Sequence, residues 1–184
     1  MNYTVINTKV KAMGARESVF QSAATLCLYI TDKNQREFVT AMANKDENEF
    51  HYFINQWKRL SHLDKKNRAA LRGALGAEID MNNILWMYRL KKYHRIKGDA
   101  TYGYLVPIRY KLSTEMTQKM AHAESPGLFL DEVAVSPYAK DIDFAKPAPE
   151  QQLAKAIEKR YQAAARRYPN SLATALAYLH KLKR

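Results

Sequence analysis

Residues 71–93 read LRGALGAEIDMNNILWMYRLKKY. Leu71 and Leu75 recur four positions apart. Met81, Ile84, Leu85 and Tyr88 then fall at i, i+3, i+4 and i+7, which is one face of an α-helix. Asp80 stands just before this second run. Its carboxylate suits an N-cap, because it can accept from the free N–H groups of a first turn. The spacing therefore predicts a helix that starts at Asp80. Lys91, Lys92, Arg95 and Lys97 crowd its last turns, where cations oppose the helix dipole, and Gly98 is the expected C′ residue.

The same period continues outward in both directions. Ser18–Ile30 is apolar on more than one face, which suits a buried helix. Asp32 can cap the next helix, with Phe38 and Met42 inward. Phe50, Phe53, Ile54, Trp57 and Leu60 form a further stripe. After an irregular connection over residues 99–111, Ser113 reads as an N-cap for a helix with Met116, Met120 and Ala123 inward. Ser125-Pro126 caps a short helix carrying Phe129, Leu130 and Val133, and Ser136-Pro137 ends it. Residues 140–149 form a loop. A long helix follows, with Leu153, Ile157, Tyr161, Ala164 and Tyr168 on one face. Pro169-Asn170 stops it, and a last helix carries Leu172, Ala175, Leu176, Leu179 and Leu182. The expected fold class is all-α, a bundle of about eight to nine helices built from helix-pair repeats.

The chain has 184 residues, 47% of them apolar, enough for a core without staples. A single cysteine, Cys27, excludes an internal disulfide framework and a cysteine-based zinc site, and points to a reducing, cytoplasmic setting. No apolar run approaches the ~20 residues of a membrane span, and the N-terminus lacks a signal-peptide pattern.

The net charge of +12 is segregated. Residues 1–54 carry 6 basic and 6 acidic side chains, residues 55–97 carry 11 and 3, residues 98–150 carry 5 and 8, and residues 151–184 carry 8 and 1. Two basic blocks thus flank an acidic one. Such blocks are solvated helix faces, a nucleic-acid surface or a docking face for an acidic partner.

Motifs of catalysis are missing. There is no P-loop, no G-x-G-x-x-G, no H-E-x-x-H and no G-x-S-x-G. His51, His62, His94, His122 and His180 show no i, i+4 metal pair, so no metal site and no cofactor is expected. Glu78 and Asp80 are carboxylates two apart. As an acid–base pair they would need a cleft and a third polar partner, and the structural reading, a cap with an Arg partner, is preferred. Tyr88, Tyr93, Tyr102, Tyr104 and Tyr110 lie in or after the basic block. They are read as closing a helical core while keeping their hydroxyls wet, rather than as stacking platforms for single-stranded bases.

The run over residues 71–93 resembles the signature of the C-type subunits of V-type and A-type rotary ATPases, whose eukaryotic counterparts are the d-type subunits. Gly76, Glu78, Ile79, Asp80, Asn83, Arg89, Lys91 and Tyr93 fill the family's G-x-E-I-D…N…R-x-K-x-Y pattern. Leu105-Val106-Pro107 through Leu112-Ser113, Ala123-Glu124-Ser125, Ser136-Pro137-Tyr138 and Ala177-Tyr178-Leu179-His180-Lys181 are similar to further family pieces in the right order. The run from Tyr3 to Met13 resembles the family N-terminus.

The resemblance implies a non-catalytic subunit, peripheral to the membrane on its cytoplasmic side. It implies a central-stalk socket that joins the rotor-shaft subunits of D and F type to the proteolipid ring and touches the membrane only through them. Gly76, Glu78, Asp80, Asn83 and Arg89 are expected to hold a helical repeat together. Lys91, Lys92, Arg95, Arg166 and Arg167 are the expected partner face. Family chains are longer and have three helical repeats. Here residues 1–98 are expected to form an N-terminal repeat with a shortened 17–54 segment, and residues 99–184 a second repeat. The chain is then a truncated piece or a short paralogue. No nucleic acid is expected on this reading; the alternative is a basic helical nucleic-acid-binding protein, recognised by a steep salt dependence.

Overall fold

Serine and aspartate caps decide where most helices of this chain begin. The computed structural model describes residues 8, 10, 18–43, 49–144, 146 and 148–182. The family-like run from Tyr3 to Met13 (Thr8 and Val10 apart), Pro147, Lys183-Arg184 and the side chains of Val19 and Phe20 lie outside the described residues. Among the described residues the chain is helical and has no strand, as its periodicity predicts. The helices are α1 Val19–Cys27, α2 Lys33–Ala43, α3 Glu49–Leu60, α4 Lys65–His94, a 3-10 helix Gly98–Tyr104, α5 Thr114–His122, α6 Pro126–Ala134, α7 Pro149–Arg167 and α8 Ala173–Leu182.

Ser18, Ser113 and Ser125 each accept the backbone N–H three residues on, at 3.2, 3.0 and 3.2 Å. Asp32 accepts from Gln35 N at 2.9 Å. These contacts satisfy N–H groups that a helix start leaves without carbonyl partners.

The chain forms two compact units, Met1–Leu75 with Ile157–Arg184, and Gly76–Ala156. In the first, α1 packs against α2 and α8, and α2 also meets α3 and α8. Leu26, Val39, Phe53, Leu71 and Leu176 are fully covered in its core. A polar seam runs through it. Asp64 Oδ1 accepts from Lys66 N and Asn67 N at 3.0 Å each, and Asp64 Oδ2 accepts from the Gln35 amide at 3.0 Å. Burial raises the Asp64 pKa, but the bonds from Asn67, Lys66 and Gln35 outweigh it and hold the carboxyl below its ordinary value. Asn67 Oδ1 in turn accepts from Leu172 N at 2.7 Å.

In the second unit α5 packs against α6 and the 3-10 helix. Met120, Phe129, Val133 and Tyr138 are buried there. Tyr88 packs on Phe144 with ring centroids 4.2 Å apart, and both rings lie 6.2 Å from Phe129.

Two expectations are corrected. Asp80 caps no helix: α4 begins at Lys65, with Asp64 as its cap, and runs unbroken through Asp80 to His94. Residues 74–85 are all buried, polar Glu78, Asp80, Asn82 and Asn83 included, so a polar residue here does not mark a solvent face or a helix start. The second correction concerns Gly98. The helix ends four residues earlier, at His94, and Arg95 takes the left-handed turn with φ 55°. Ile96 N then reaches back to Leu90 O at 3.1 Å. Gly98, at φ 65°, opens the 3-10 helix instead.

Candidate functional site

From Gly76 to just past its end, α4 carries two sets of side chains within the second unit, one tying the helix to its neighbours and one lining a groove. The first comes from the run that decides the fold; the second starts in it at Lys91 and continues to Lys97.

The buried set ties α4 to the irregular connection after the 3-10 helix. The two Asp80 carboxylate oxygens accept Tyr110 N at 3.0 Å, Lys111 N at 2.6 Å, Leu112 N at 3.0 Å and the Tyr138 hydroxyl at 2.7 Å. Asp80 is wholly buried, and four donors on one carboxylate make that burial tolerable. One turn on, the Asn83 side chain brackets Val106: its Nδ2 donates to Val106 O and its Oδ1 accepts from Val106 N, both at 3.0 Å. Backbone groups in a segment without sheet or helix partners are thereby satisfied. Gly76 lies under the Tyr110 ring, where an added Cβ would come within 2.5 Å of Cγ. Glu78 is 1% exposed, and its backbone carbonyl accepts from the Asn82 amide at 2.8 Å. Arg89 meets Glu150, at the start of α7, at 2.6 Å. The hydrogen bond from Arg89 leads the effects that hold the Glu150 carboxyl below its usual range.

The second set lines a groove of about 390 Å³ at the end of α4. Lys91, Lys92, Arg95, Ile96 and Lys97 form one wall, and Ala123, Glu124 and Pro126 the other. Lys91 is 7% exposed and donates to Ala121 O at 2.6 Å and Ala123 O at 2.9 Å. It thereby closes the carbonyl end of α5 with a cation, which the dipole favours. Burial first, and then the neighbouring Lys97, pull its ammonium below the ordinary lysine range. Lys92 is exposed. It donates to the Tyr88 hydroxyl at 3.0 Å, and its ammonium stands 5.2 Å from the Tyr88 ring and 5.4 Å from the Tyr93 ring. That hydrogen bond, followed by the negative potential of both tyrosines, holds Lys92 above its ordinary value.

Residues 19–184 match the model of the ATP synthase (C/AC39) subunit family. The chain belongs to that family. No curated protein and no solved structure matches it. Family membership makes the chain a V/A-type ATPase subunit of a non-catalytic kind. No described helix is long and apolar enough to cross a membrane.

The residues picked out from the sequence divide accordingly. Gly76, Asp80 and Asn83 converge on residues 105–112, and Arg89 reaches α7 instead. Lys91, Lys92 and Arg95 gather on one groove, whereas Arg166 and Arg167 are exposed at the end of α7 in the other unit. Tyr138, Glu150, Lys97 and Glu124 join these two sets although the sequence does not mark them as site residues. Tyr138 and Glu124 have a signal in the Ser136-Pro137-Tyr138 and Ala123-Glu124-Ser125 pieces, and Lys97 in the run of cations after Lys91, whereas Glu150 has none.

Proposed function

We propose that this chain is a central-stalk socket of a V/A-type rotary ATPase, joining the rotor shaft to the proteolipid ring without catalysis of its own. Membership of the (C/AC39) subunit family over residues 19–184 is the observation that carries this reading. The buried Asp80 and Asn83 anchors support it, because torque can be passed only through elements that do not slide. On this reading Lys92 and Arg95, with Arg166 and Arg167, meet acidic surfaces of the shaft subunits or of the ring's cytoplasmic loops. Charge of this kind sets orientation and rate of docking more than affinity. The division into helical repeats at residues 1–98 and 99–184, and a place at the cytoplasmic face, belong to the same proposal.

The test is capture of the D- and F-type shaft subunits, and separately of the assembled proteolipid ring, on immobilised chain. The expected result is retention of at least one of them, weakened by charge reversal at Lys92 and Arg95. Capture of neither by the wild-type chain overturns the socket reading.

A further inference from the structure

The groove at the end of α4 has a composition that torque transmission does not require. Lys91, Lys92, Arg95 and Lys97 face a single acidic residue, Glu124, around about 390 Å³. Four like charges in one concavity repel one another, and the depressed Lys91 ammonium reflects part of that repulsion. Lys91 uses two of its three N–H donors on Ala121 O and Ala123 O, which fixes the ammonium in place. Pro126 in the opposite wall is the first residue of α6, so the positive end of a helix dipole adds to the same field.

We propose that this groove binds a small anion bearing clustered phosphate groups. The volume is near the lower end of the range for small-ligand sites. The surplus of cations demands several negative charges in little space, and linked phosphates supply these more densely than carboxylates do. Arg95 offers a planar fork for phosphate oxygens, and the lysines act as point charges. Among the described residues the lining has no aromatic ring on which a base could stack, which separates this site from one for single-stranded nucleic acid. The proposal does not rest on the socket reading, since a chain that fails to capture the rotor shaft can still hold such an anion.

The experiment is a calorimetric titration of the full chain with sodium triphosphate at low salt. It is compared with an Arg95→Glu/Lys97→Glu double variant and a Lys140→Glu/Lys155→Glu double variant of equal charge. All four positions are exposed, so both variants should keep the helical circular-dichroism spectrum. The expected result is saturable binding, weakened roughly tenfold or more by the groove variant and little changed by the control. Flotation with vesicles separates the sources. Retention on polyphosphoinositide vesicles, displaced by triphosphate, identifies a lipid headgroup; triphosphate binding without retention identifies a soluble phosphate compound. Absence of saturable binding overturns the proposal. So does equal weakening in both variants, or equal retention on phosphatidylserine vesicles.

Discussion

Asp80 Oδ2 and the Tyr138 hydroxyl meet at 2.7 Å, and neither residue has measurable exposure. The pair joins the middle of α4 to the turn that follows α6, and the same carboxylate gathers the amides of residues 110–112. Removing the two partners should have unequal effects. Tyr138→Phe deletes one of four donors and leaves the carboxylate solvated by three amides, so a loss of about 1–2 kcal/mol is expected. Asp80→Ala removes the acceptor shared by the Tyr138 hydroxyl and three amides, two of them part-buried, and a loss of about 2–4 kcal/mol is expected. Urea unfolding followed by circular dichroism measures both. Equal effects would mean that the backbone contacts contribute little.

Gly76 makes a second claim on the same connection. Alanine favours a helix interior over glycine by about 1 kcal/mol. Here its Cβ would stand 2.5 Å from Tyr110 Cγ, and the ring would have to move. Overpacking of this kind costs about 1–3 kcal/mol, so Gly76→Ala is expected to destabilise on balance. In the background of Tyr110→Gly the sign should reverse, because the obstructing ring and the Tyr110 Cβ, 2.7 Å from the added one, are both gone. Thermal melts of the two single variants and the double variant test this, and a stabilised Gly76→Ala single variant would exclude the close packing.

The helices are legible in the sequence, but the centre of the longest one is not. A periodic signal is read by taking polar residues as the solvent face, and in residues 74–85 the polar Glu78, Asp80, Asn82 and Asn83 are as buried as their apolar neighbours. Asp80 therefore reads as a helix start, when its carboxylate serves amides 30 to 32 residues away. Asp64, the true cap, stands before a polar run that gives no reason to begin a helix there. The basic groove is half legible. Lys91, Lys92 and Arg95 share a chain segment, but Glu124 and Pro126 reach them only through the packing of α4 with the α5–α6 turn. The Arg89–Glu150 pair spans 61 positions and leaves no local trace.

That pair gives a pH dependence with a definite sign. Arg89 holds the folded Glu150 carboxyl below its unfolded value of 4.5. A depressed carboxyl contributes stability that is fully present above the unfolded value and lost as pH falls through the folded one. The pair is about half exposed, at 42% and 50%, so its contribution is screened and should stay under about 1 kcal/mol. Glu150→Gln should lower stability slightly at neutral pH and match the wild type below pH ~3. Urea midpoints measured across this range test it, and a constant gap between the two proteins would mean that the ion pair is not the cause.

Arg95 occupies the left-handed region at φ 55°, where a side chain with a Cβ costs about 1–2 kcal/mol relative to the right-handed helix. Glycine at this position would remove that strain, and it is the residue most often found just past a helix end. Part of the gain is offset because glycine also frees the unfolded chain. Arg95→Gly is therefore expected to raise stability by up to about 1 kcal/mol. The same substitution removes one of the four cations of the groove. Stability and triphosphate affinity should move in opposite directions: a higher melting temperature with weaker binding. Arg95→Ala separates the two effects, since it loses the cation but keeps the strained backbone. It should bind as weakly as Arg95→Gly without the stability gain. If Arg95→Ala proves as stable as Arg95→Gly, the strain at the end of α4 is not what limits stability there.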